Sequence, residues 1–479
     1  MKREQFSSSL GFILAAAGSA VGIGNLVAFP VMASKNGGAA FLIIYAFFVF
    51  FICLPVMLAE MSLGRHTRQN PLGAYTEIGQ NRAWRTVGWL SVITPFMIGV
   101  FYLVITVWIA GYLGKALTGQ LDQLAEPASF DVFTNSNELF IYMALVVGLT
   151  FLILQGGVKK GIEKATTVLM PLLFVMLIAL VIYVLTLENA MLGVKFFLVP
   201  DFSKITGQVL NGALAQAFFS LSLGMGILIT YGSYIQKNNN IVTAGKMVAA
   251  LSLLVACCSG LLILPAAFSF NPDIEISELS ESSIGMIFMF LPKIFLALQA
   301  DIGYFGASFI ASFFFLLVFF AAMTSLVSII EVPVASLMDG KGLSRRKALY
   351  SLGGAMIVLA VISALSFGRI EWLSNIMSYG DNTKSFFNLI NDMFYETILP
   401  LNGLLLCLFV IYRWKKHNLD AEMSQGNDSF AGSFLQKYVN FSLGTFIPAI
   451  LAIIFVNTVL TIYFGYNMLS LWFEKMGFN

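Results

Sequence analysis

Two short segments place serine hydroxyls and glycines within otherwise apolar stretches. Residues 19–25 read Ser-Ala-Val-Gly-Ile-Gly-Asn, and residues 220–226 read Ser-Leu-Ser-Leu-Gly-Met-Gly. Glycine tolerates an interrupted helix, and the freed backbone offers carbonyl oxygens to a hard cation and N–H groups to an anion. A bilayer tolerates irregular backbone only where it lines a protected polar cavity. Paired breaks of this kind therefore predict a mid-membrane site for a solute and an ion.

Eleven apolar stretches, most of them about long enough to cross a bilayer, must position these segments. They fall near residues 9–30, 39–63, 87–114, 138–155, 166–187, 208–234, 242–268, 304–337, 348–367, 397–413 and 441–465. The breaks lie in the first and sixth stretches, which predicts two inverted five-helix repeats at about 8–187 and 208–413 and an extra helix at about 441–465. Glycine that serves only helix packing is the alternative, but the flanking hydroxyls favour breaks. We therefore predict an all-α polytopic membrane protein, with residues 1–479 forming a single transmembrane domain.

Composition supports this class and excludes others. The chain of 479 residues is 58% hydrophobic and 11% charged, and its mean hydropathy of +0.85 is too high for an ordinary soluble globule. A net charge of +2 provides no basic face for nucleic acid. The four cysteines show no CxxC or Cys/His pattern, and the two histidines lie in charged loops. Redox and metal-dependent catalysis are therefore not predicted.

The charged loops predict the orientation of the chain. Lysine and arginine concentrate in alternate loops, near residues 2–3, 65–85, 159–164, 237–246, 341–347 and 413–416, whereas loops 122–131 and 273–281 are acidic. Because cytoplasmic loops carry the positive excess, we place the N-terminus in the cytoplasm of a plasma (inner) membrane and, with eleven spans, the C-terminus outside. The short apolar stretch 284–298 is expected to lie at the interface or to fold back as a lid.

Several motifs together resemble one known family. They are Gly-Ile-Gly-Asn-Leu at 22–26 with Phe29-Pro30, Asn-Gly-Gly-Ala-Ala-Phe at 36–41, Gly-Ile-Glu-Lys at 161–164, Phe-Ser-Leu-Ser-Leu-Gly at 219–224, and Thr324-Ser325. The set is similar to the neurotransmitter:sodium symporter family, in its bacterial, leucine-transporter-like form. The resemblance implies the leucine-transporter fold, with helices 1 and 6 broken, and sodium-coupled symport of a small amino acid-like zwitterion by alternating access. It implies no enzymatic activity.

The resemblance implies a substrate pocket between the two breaks. Tyr102 would donate its hydroxyl to a substrate carboxylate, and Gly22, where carriers of biogenic amines have aspartate, favours an amino acid. An apolar wall favours a hydrophobic neutral side chain. The implied pocket residues are Ser19, Ala20, Ile23, Gly24, Tyr102, Phe219, Ser220, Ser222, Met225, Ser325 and Ile329.

Two sodium sites follow from the same resemblance. One uses the backbone carbonyls of Gly18, Val21 and Ala321 with the hydroxyls of Thr324 and Ser325. The other uses Ala20, Asn25 and Ser220, with Ser252 where the family has a side-chain amide. Because a neutral hydroxyl is a weaker oxygen donor than an amide, sodium is expected to bind this second set loosely or not at all.

A chloride cluster would comprise Tyr45, Gln216, Ser220 and Ser252, but its last position is Ala256. Alanine supplies neither a hydroxyl nor a carboxylate, so the sequence predicts no firm chloride requirement.

The resemblance also implies a cytoplasmic gate formed by Arg3, Ser233, Tyr234 and Asp339. On the outer side, Ala28 and the apolar stretch 398–401 stand where the family has an arginine and an acid, so closure is expected to rely on Tyr102, Phe219 and the lid. The segment 161–171 runs from a glycine to a proline and is expected to unwind at the inner end of helix 5.

Three alternatives remain open at this point. Ser252 and Ala28 are also compatible with another zwitterion, such as a betaine, and a solute sensor that does not transport would share the same binding residues. Cys258-Ser259-Gly260 superficially suggests an intramembrane hydrolase, but no histidine lies within a span to act as its base. The expected partners are a small-molecule substrate and the lipid bilayer, without nucleic acid, for a monomer or a homodimer.

Overall fold

A computed structural model describes residues 3–272, 282–380 and 382–469. Within these ranges nine helical segments are long and apolar enough to cross a membrane. Spans 2 to 5 are Ala39–Thr67, Arg82–Leu117, Glu138–Gln155 and Val158–Leu185, and spans 7 to 11 are Ile241–Phe270, Gln299–Lys341, Arg345–Leu365, Phe386–Trp414 and Phe434–Phe464. Two broken helices, spans 1 and 6, complete the eleven, so the predicted all-α polytopic fold is confirmed.

Span 1 consists of two half-helices, Ser9–Ala20 and Gly24–Lys35, which meet at an angle of 53°. Ser8 caps the first half by accepting a hydrogen bond from the N–H of Gly11. Val21, with φ −95° and ψ 86°, leaves the helical region and ends it. The break therefore lies within the segment that the sequence singled out.

Span 6 also consists of two half-helices, Gly207–Ser220 and Ile227–Gly232. Between them Ser222, Gly224 and Gly226 have φ values of 54°, 75° and 67°. Glycine adopts such angles at little cost, whereas Ser222 requires support, which its hydroxyl obtains by donating a 2.9 Å hydrogen bond to the carbonyl of Ser19. The two breaks thus stabilise each other.

Spans 3 and 8 form the centre of the molecule, and span 11 lies at its periphery. The most apolar window is 78% buried in spans 3 and 8 but only 22% buried in span 11. Spans 3 and 8 pack against one another, and each carries predicted site residues at mid-length. The centre of the protein thus positions the site, and span 11 presents most of its surface to lipid.

Several spans are longer than the sequence predicted, and one short element was not predicted at all. Span 10 begins at Phe386, not near residue 397, and span 8 begins at Gln299, not near residue 304. Before span 10, strands β1 (Met377–Tyr379) and β2 (Asn382–Lys384) form an antiparallel pair that the sequence did not predict. The acidic loop 273–281 lies outside the described residues.

The apolar stretch near 284–298 forms a short helical segment, Ser283–Ala297. It folds back onto span 3, where the hydroxyl of Tyr112 donates a 3.1 Å hydrogen bond to the carbonyl of Phe288. The rings of these two residues lie 4.8 Å apart. The segment therefore packs against the end of span 3, a contact that is compatible with both expected placements.

Candidate functional site

The two breaks face one another and enclose a small cavity of about 20 Å³. Its lining residues are Ser19, Ala20, Gly22, Gly24, Asn25, Tyr102, Phe219, Ser220, Ser222, Met225, Ser325 and Ile329. The structure therefore brings together every residue of the implied pocket except Ile23. That side chain is buried but does not line the cavity, whereas its backbone N–H donates a 3.3 Å hydrogen bond to the hydroxyl of Tyr102.

Gly22 has a steric reason to lack a side chain. A Cβ at this position would lie 2.7 Å from the hydroxyl oxygen of Ser325 and 2.8 Å from that of Tyr102. Spans 1, 3 and 8 thus meet at this glycine. A larger residue would push apart the hydroxyls that line the cavity.

The residues implied for one sodium site converge between spans 1 and 8. The hydroxyl of Ser325 lies 3.2 Å from the carbonyl oxygens of both Gly18 and Ser19, and that of Thr324 donates a 3.1 Å hydrogen bond to the carbonyl of Ala321. The backbone N–H of Val21 donates a 2.7 Å hydrogen bond to the carbonyl of Ala17. The arrangement places several neutral oxygens together, which is the chemistry that a hard cation requires.

Asn25 is the centre of the other implied sodium set. Its amide nitrogen donates to the carbonyl and the hydroxyl of Ser252, at 2.9 and 2.8 Å. Its amide oxygen accepts a hydrogen bond from Ser220. Ser252 is therefore next to Asn25, as the resemblance implied, and all three side chains are buried. Ala20 lines the adjacent cavity.

The implied chloride cluster is also assembled around this set. The hydroxyls of Tyr45 and Ser220 lie 2.7 Å apart, and the amide of Gln216 donates a 2.8 Å hydrogen bond to the carbonyl of Gly24. Ala256 is fully buried, but its carbonyl accepts a 2.9 Å hydrogen bond from Ser259. The hydroxyl of Ser259 is also 2.6 Å from the carbonyl of Asn25, which gives it a bonded structural role rather than that of an exposed nucleophile.

Sequence reasoning missed the groups that hold the break in span 6. Glu60, a buried acid in span 2, accepts a 2.9 Å hydrogen bond from the N–H of Gly224. Asn402 of span 10 donates a 2.9 Å hydrogen bond to the carbonyl of the same glycine. Both side chains satisfy backbone groups that the helix no longer pairs. An isolated acid inside an apolar span is a signal of function, and Glu60 could have been found by it.

The four implied residues of the cytoplasmic gate lie in contact. Arg3 forms a 2.5 Å ion pair with Asp339 and donates a 2.9 Å hydrogen bond to the hydroxyl of Ser233. Its guanidinium also lies 4.9 Å from the ring centre of Tyr234. Four groups from the N-terminal segment, the end of span 6 and span 8 thus meet at one end of the helix bundle.

This network extends to two residues that the sequence did not reveal. The hydroxyl of Tyr234 donates a 2.7 Å hydrogen bond to Glu331, whose fully buried carboxylate is paired with Arg345. A buried charge is retained only when it is paired. Arg345 therefore ties the start of span 9 to the gate.

The outer side differs from the sequence-based account. Because span 10 begins earlier, it contains Asp392 and Glu396 ahead of the apolar stretch 398–401. Asp392 pairs with Lys384 at 3.0 Å, whereas Glu396 and Ala28 line a cavity of about 280 Å³. The ring of Phe219 separates this cavity from the site and packs edge-on against Tyr395, with centroids 4.4 Å apart. Two carboxylates therefore lie in span 10 ahead of the stretch 398–401, which is itself apolar as expected.

Two titratable side chains outside the spans have perturbed pKa values. Burial raises the pKa of the Tyr379 hydroxyl, and the carboxylate of Asp392 raises it further. Burial alone would also raise the pKa of Glu422, but a hydrogen bond from His66 and the charge of Arg65 outweigh it, so the pKa lies below its usual value. Glu422 thus remains ionised and ties the end of span 2 to helix Lys416–Ser424.

The inner end of span 5 begins with a wide helical turn, Val158–Glu163, and Pro171 lies inside the following helix. Glu163 accepts hydrogen bonds from the N–H and the hydroxyl of Ser7, at 2.9 and 2.5 Å. The N-terminal segment is therefore anchored to the glycine-to-proline segment, which is helical here.

The chain resembles a known family over nearly its whole length. A model of the sodium:neurotransmitter symporter family matches residues 3–130 and 128–479. A sodium-dependent transporter of Bacillus subtilis is 34% identical over 463 residues, covering 96% of this chain and 98% of the relative. A sodium-dependent transporter of Methanocaldococcus jannaschii is 34% identical over 382 residues, covering 77% and 76%.

A more distant relative and a solved structure point to the same family. The sodium- and chloride-dependent GABA transporter 2 of Bos taurus is 27% identical over 71% of this chain and 62% of its own length. The crystal structure of MhsT in complex with L-phenylalanine is 36% identical, covers 95% of this chain and 99% of that one, and superposes with a TM-score of 0.80. The broken-helix fold and these matches lead to one conclusion: the chain belongs to the sodium:neurotransmitter symporter family.

Proposed function

We propose that this protein is a sodium-coupled symporter of a hydrophobic neutral amino acid. One observation carries the proposal: the unwound segments of spans 1 and 6 face each other across a cavity whose lining combines five hydroxyl side chains with the apolar side chains of Phe219, Met225 and Ile329. MhsT, which has the same fold, was crystallised with L-phenylalanine. A zwitterion with an apolar side chain matches such a lining.

The polar end of the substrate fits the ends of the half-helices. Half-helix Gly24–Lys35 begins at the cavity, and its N-terminal N–H groups and dipole favour a carboxylate. The hydroxyl of Tyr102 lies beside it and adds a donor. Half-helix Ser9–Ala20 ends there, so its last carbonyls favour the ammonium group. No ionised side chain is needed to hold either charge.

The side chain of the substrate would lie against Phe219, Met225 and Ile329. Because a cavity of about 20 Å³ holds little more than a water molecule, binding requires these residues to move apart. Methionine changes rotamer readily, and Phe219 borders the larger outer cavity. Entry from the outer side, followed by return of Phe219, accounts for closure over the substrate.

Sodium would occupy the oxygens of Gly18, Val21, Ala321, Thr324 and Ser325. This proposal is supported by the 3.2 Å contact between the hydroxyl of Ser325 and the carbonyl of Gly18, which joins span 8 to span 1. Movement of span 1 away from span 8 would separate these ligands. A cation that binds this arrangement stabilises the substrate-competent state and so drives the exchange of conformations.

A second sodium would use Ala20, Asn25, Ser220 and Ser252 beside the substrate carboxylate. The hydrogen bond from the amide of Asn25 to the hydroxyl of Ser252 keeps these two side chains together, but a serine hydroxyl is a weaker sodium ligand than an amide oxygen. We therefore propose one strong and one weak sodium site, with transport that does not require chloride because Ala256 supplies no anion-binding group.

Release would begin at the cytoplasmic gate. Opening requires the ion pair of Arg3 with Asp339 to part, together with the contacts of the N-terminal segment to Glu163. The half-helix Ser9–Ala20 is then free to swing outward and expose both ions and solute to the cytoplasm. The proposed orientation has the N-terminus in the cytoplasm of the plasma membrane and the C-terminus outside, in a monomer or a homodimer.

The test is a solute panel measured on the purified protein by thermal unfolding, in sodium and in potassium. A ligand that binds only the native state raises the unfolding temperature. We expect phenylalanine, leucine or methionine to do so in sodium and not in potassium. If only betaines stabilise the protein, the proposed substrate class is wrong. If a solute binds but does not accumulate in proteoliposomes, the protein is a sensor and not a transporter.

A further inference from the structure

We propose that an anionic phospholipid binds in a groove between the inner ends of spans 4 and 5. The groove has a volume of about 390 Å³ and opens to the outside of the bundle. It is lined by Leu152, Ile153, Lys160, Gly161, Lys164, Ala165, Val168 and Leu169. It is remote from the proposed transport site, and its occupant does not depend on the transported solute.

The charged end of the groove is positive and lacks protein partners. Lys159, Lys160 and Lys164 are exposed, and within the described residues no carboxylate pairs with their amino groups. Two acids at the same turn bind other groups, since Glu163 accepts a hydrogen bond from Ser7 and Glu4 accepts one from the backbone N–H of Val158. Two of the lysines lie four residues apart and so on one face of the helix.

The rest of the groove is apolar and faces lipid. Leu152 is 67% exposed and Val168 is 60% exposed, although both are aliphatic. Exposed apolar residues continue along span 5 at Leu172 and Val175, at the helical spacing of one face. From Lys164 to Val175 the helix rises about 17 Å, which is about half of the hydrocarbon thickness. A phospholipid of one leaflet has this same order of charged end and apolar length.

The groove exists because spans 4 and 5 approach closely at one glycine. A Cβ at Gly161 would lie only 2.0 Å from the carbonyl oxygen of Ile153, so the two helices meet below the lysines and form the floor of the groove. The same turn, Val158–Glu163, carries the inner contacts to the N-terminal segment. A bound lipid would brace the outer side of this turn.

Charge complementarity selects the headgroup. Basic residues next to a span at the cytoplasmic surface attract anionic lipids, whereas a zwitterionic headgroup gains little from unpaired lysines. We expect the protein to bind phosphatidylglycerol more tightly than phosphatidylcholine. Because each lysine near the membrane surface strengthens binding of an anionic lipid about fivefold, removing either Lys160 or Lys164 should lower this preference by about that factor.

Native mass spectrometry of the full chain, released from nanodiscs that contain equal amounts of the two lipids, tests the proposal. The wild type should retain phosphatidylglycerol preferentially, and Lys160→Gln with Lys164→Gln should lower that preference roughly 25-fold, the product of the two factors. The matched control is Lys341→Gln with Lys347→Gln, which removes the same charge from exposed positions outside the groove and should retain the preference.

A second variant, Ala165→Phe, keeps every lysine but fills the apolar part of the groove, and it should also lose the lipid. Thermal unfolding in phosphatidylcholine alone shows that each variant is folded. Equal retention of the two lipids by the wild type, or equal losses in the lysine pair and its control, would overturn the proposal. So would displacement of the lipid by soluble glycerol phosphate, because a site for a free anion needs no acyl chain.

Discussion

Tyr102→Phe removes one oxygen from the cavity and tests how the proposed substrate carboxylate is held. In the structure the hydroxyl of Tyr102 accepts a hydrogen bond from the N–H of Ile23 at 3.3 Å, which is longer than an average bond of this type. Its loss should therefore lower stability by about 0.5–1.5 kcal/mol. The hydroxyl can also donate to a carboxylate, and a hydrogen bond to a charged group contributes about 1.5–3 kcal/mol.

This second contribution corresponds to a loss of roughly 10- to 150-fold in affinity. Equilibrium binding of radiolabelled phenylalanine in saturating sodium measures it directly. The matched control is Tyr112→Phe, since Tyr112 lies on the same span, is also buried, and donates to the carbonyl of Phe288 away from the cavity. Its effect should be confined to stability.

The two variants must therefore differ in binding and resemble each other in unfolding temperature. If Tyr102→Phe binds phenylalanine as tightly as Tyr112→Phe does, the carboxylate is not held by this hydroxyl, and the proposed orientation of the substrate is wrong. Phenylalanine amide provides a further check, because it lacks the carboxylate and should bind both variants equally weakly.

Three further changes probe the surroundings of the site. Ser252→Asn places an amide oxygen beside Asn25 and should raise sodium affinity about fivefold, which corresponds to about 1 kcal/mol. The sodium dependence of substrate binding measures this affinity, and no change would argue against a second sodium at this place. Glu60→Ala leaves the N–H of Gly224 without its acceptor and should cost about 1–3 kcal/mol of stability, whereas Glu60→Gln should retain most of it in thermal unfolding. The pKa of Glu422 is lowered, so its ionised carboxylate stabilises the fold above its unfolded pKa of about 4.3, and this stabilisation is lost as pH falls through the folded value. Glu422→Gln should therefore reduce the fall in unfolding temperature at acidic pH. An unchanged pH dependence would show that other groups cause that fall.

Much of the fold was accessible from the sequence because each span has a long apolar run and each break has an unusual local composition. The cluster of small residues at 220–226 predicted a break in span 6, and the positive φ values of Ser222, Gly224 and Gly226 lie within it. The clustering of Ser325 with Gly18 was implied by family resemblance alone, since no local pattern says that two distant spans meet.

The parts that could not be predicted depend on long-range packing or on weak local signals. Span 10 was placed too late because its first turns contain Asn391, Asp392 and Glu396, and polar residues lower the hydropathy of a window although other parts of the protein cover them. Glu331 is an acid inside the apolar run of span 8, so the signal that marks Glu60 marks it as well. Its partner Arg345 follows that span in a basic loop, and only the fold shows that the two residues pair.

The central claim is that the paired breaks hold a zwitterion together with sodium and carry both across the membrane. Uptake of radiolabelled phenylalanine into proteoliposomes, driven by an inward sodium gradient and compared with an equal potassium gradient, tests it most directly. We expect accumulation above the external concentration in sodium alone, abolished by an ionophore that collapses the gradient. Equal uptake in potassium, or binding that never exceeds equilibrium in sodium with every hydrophobic amino acid tried, would contradict it.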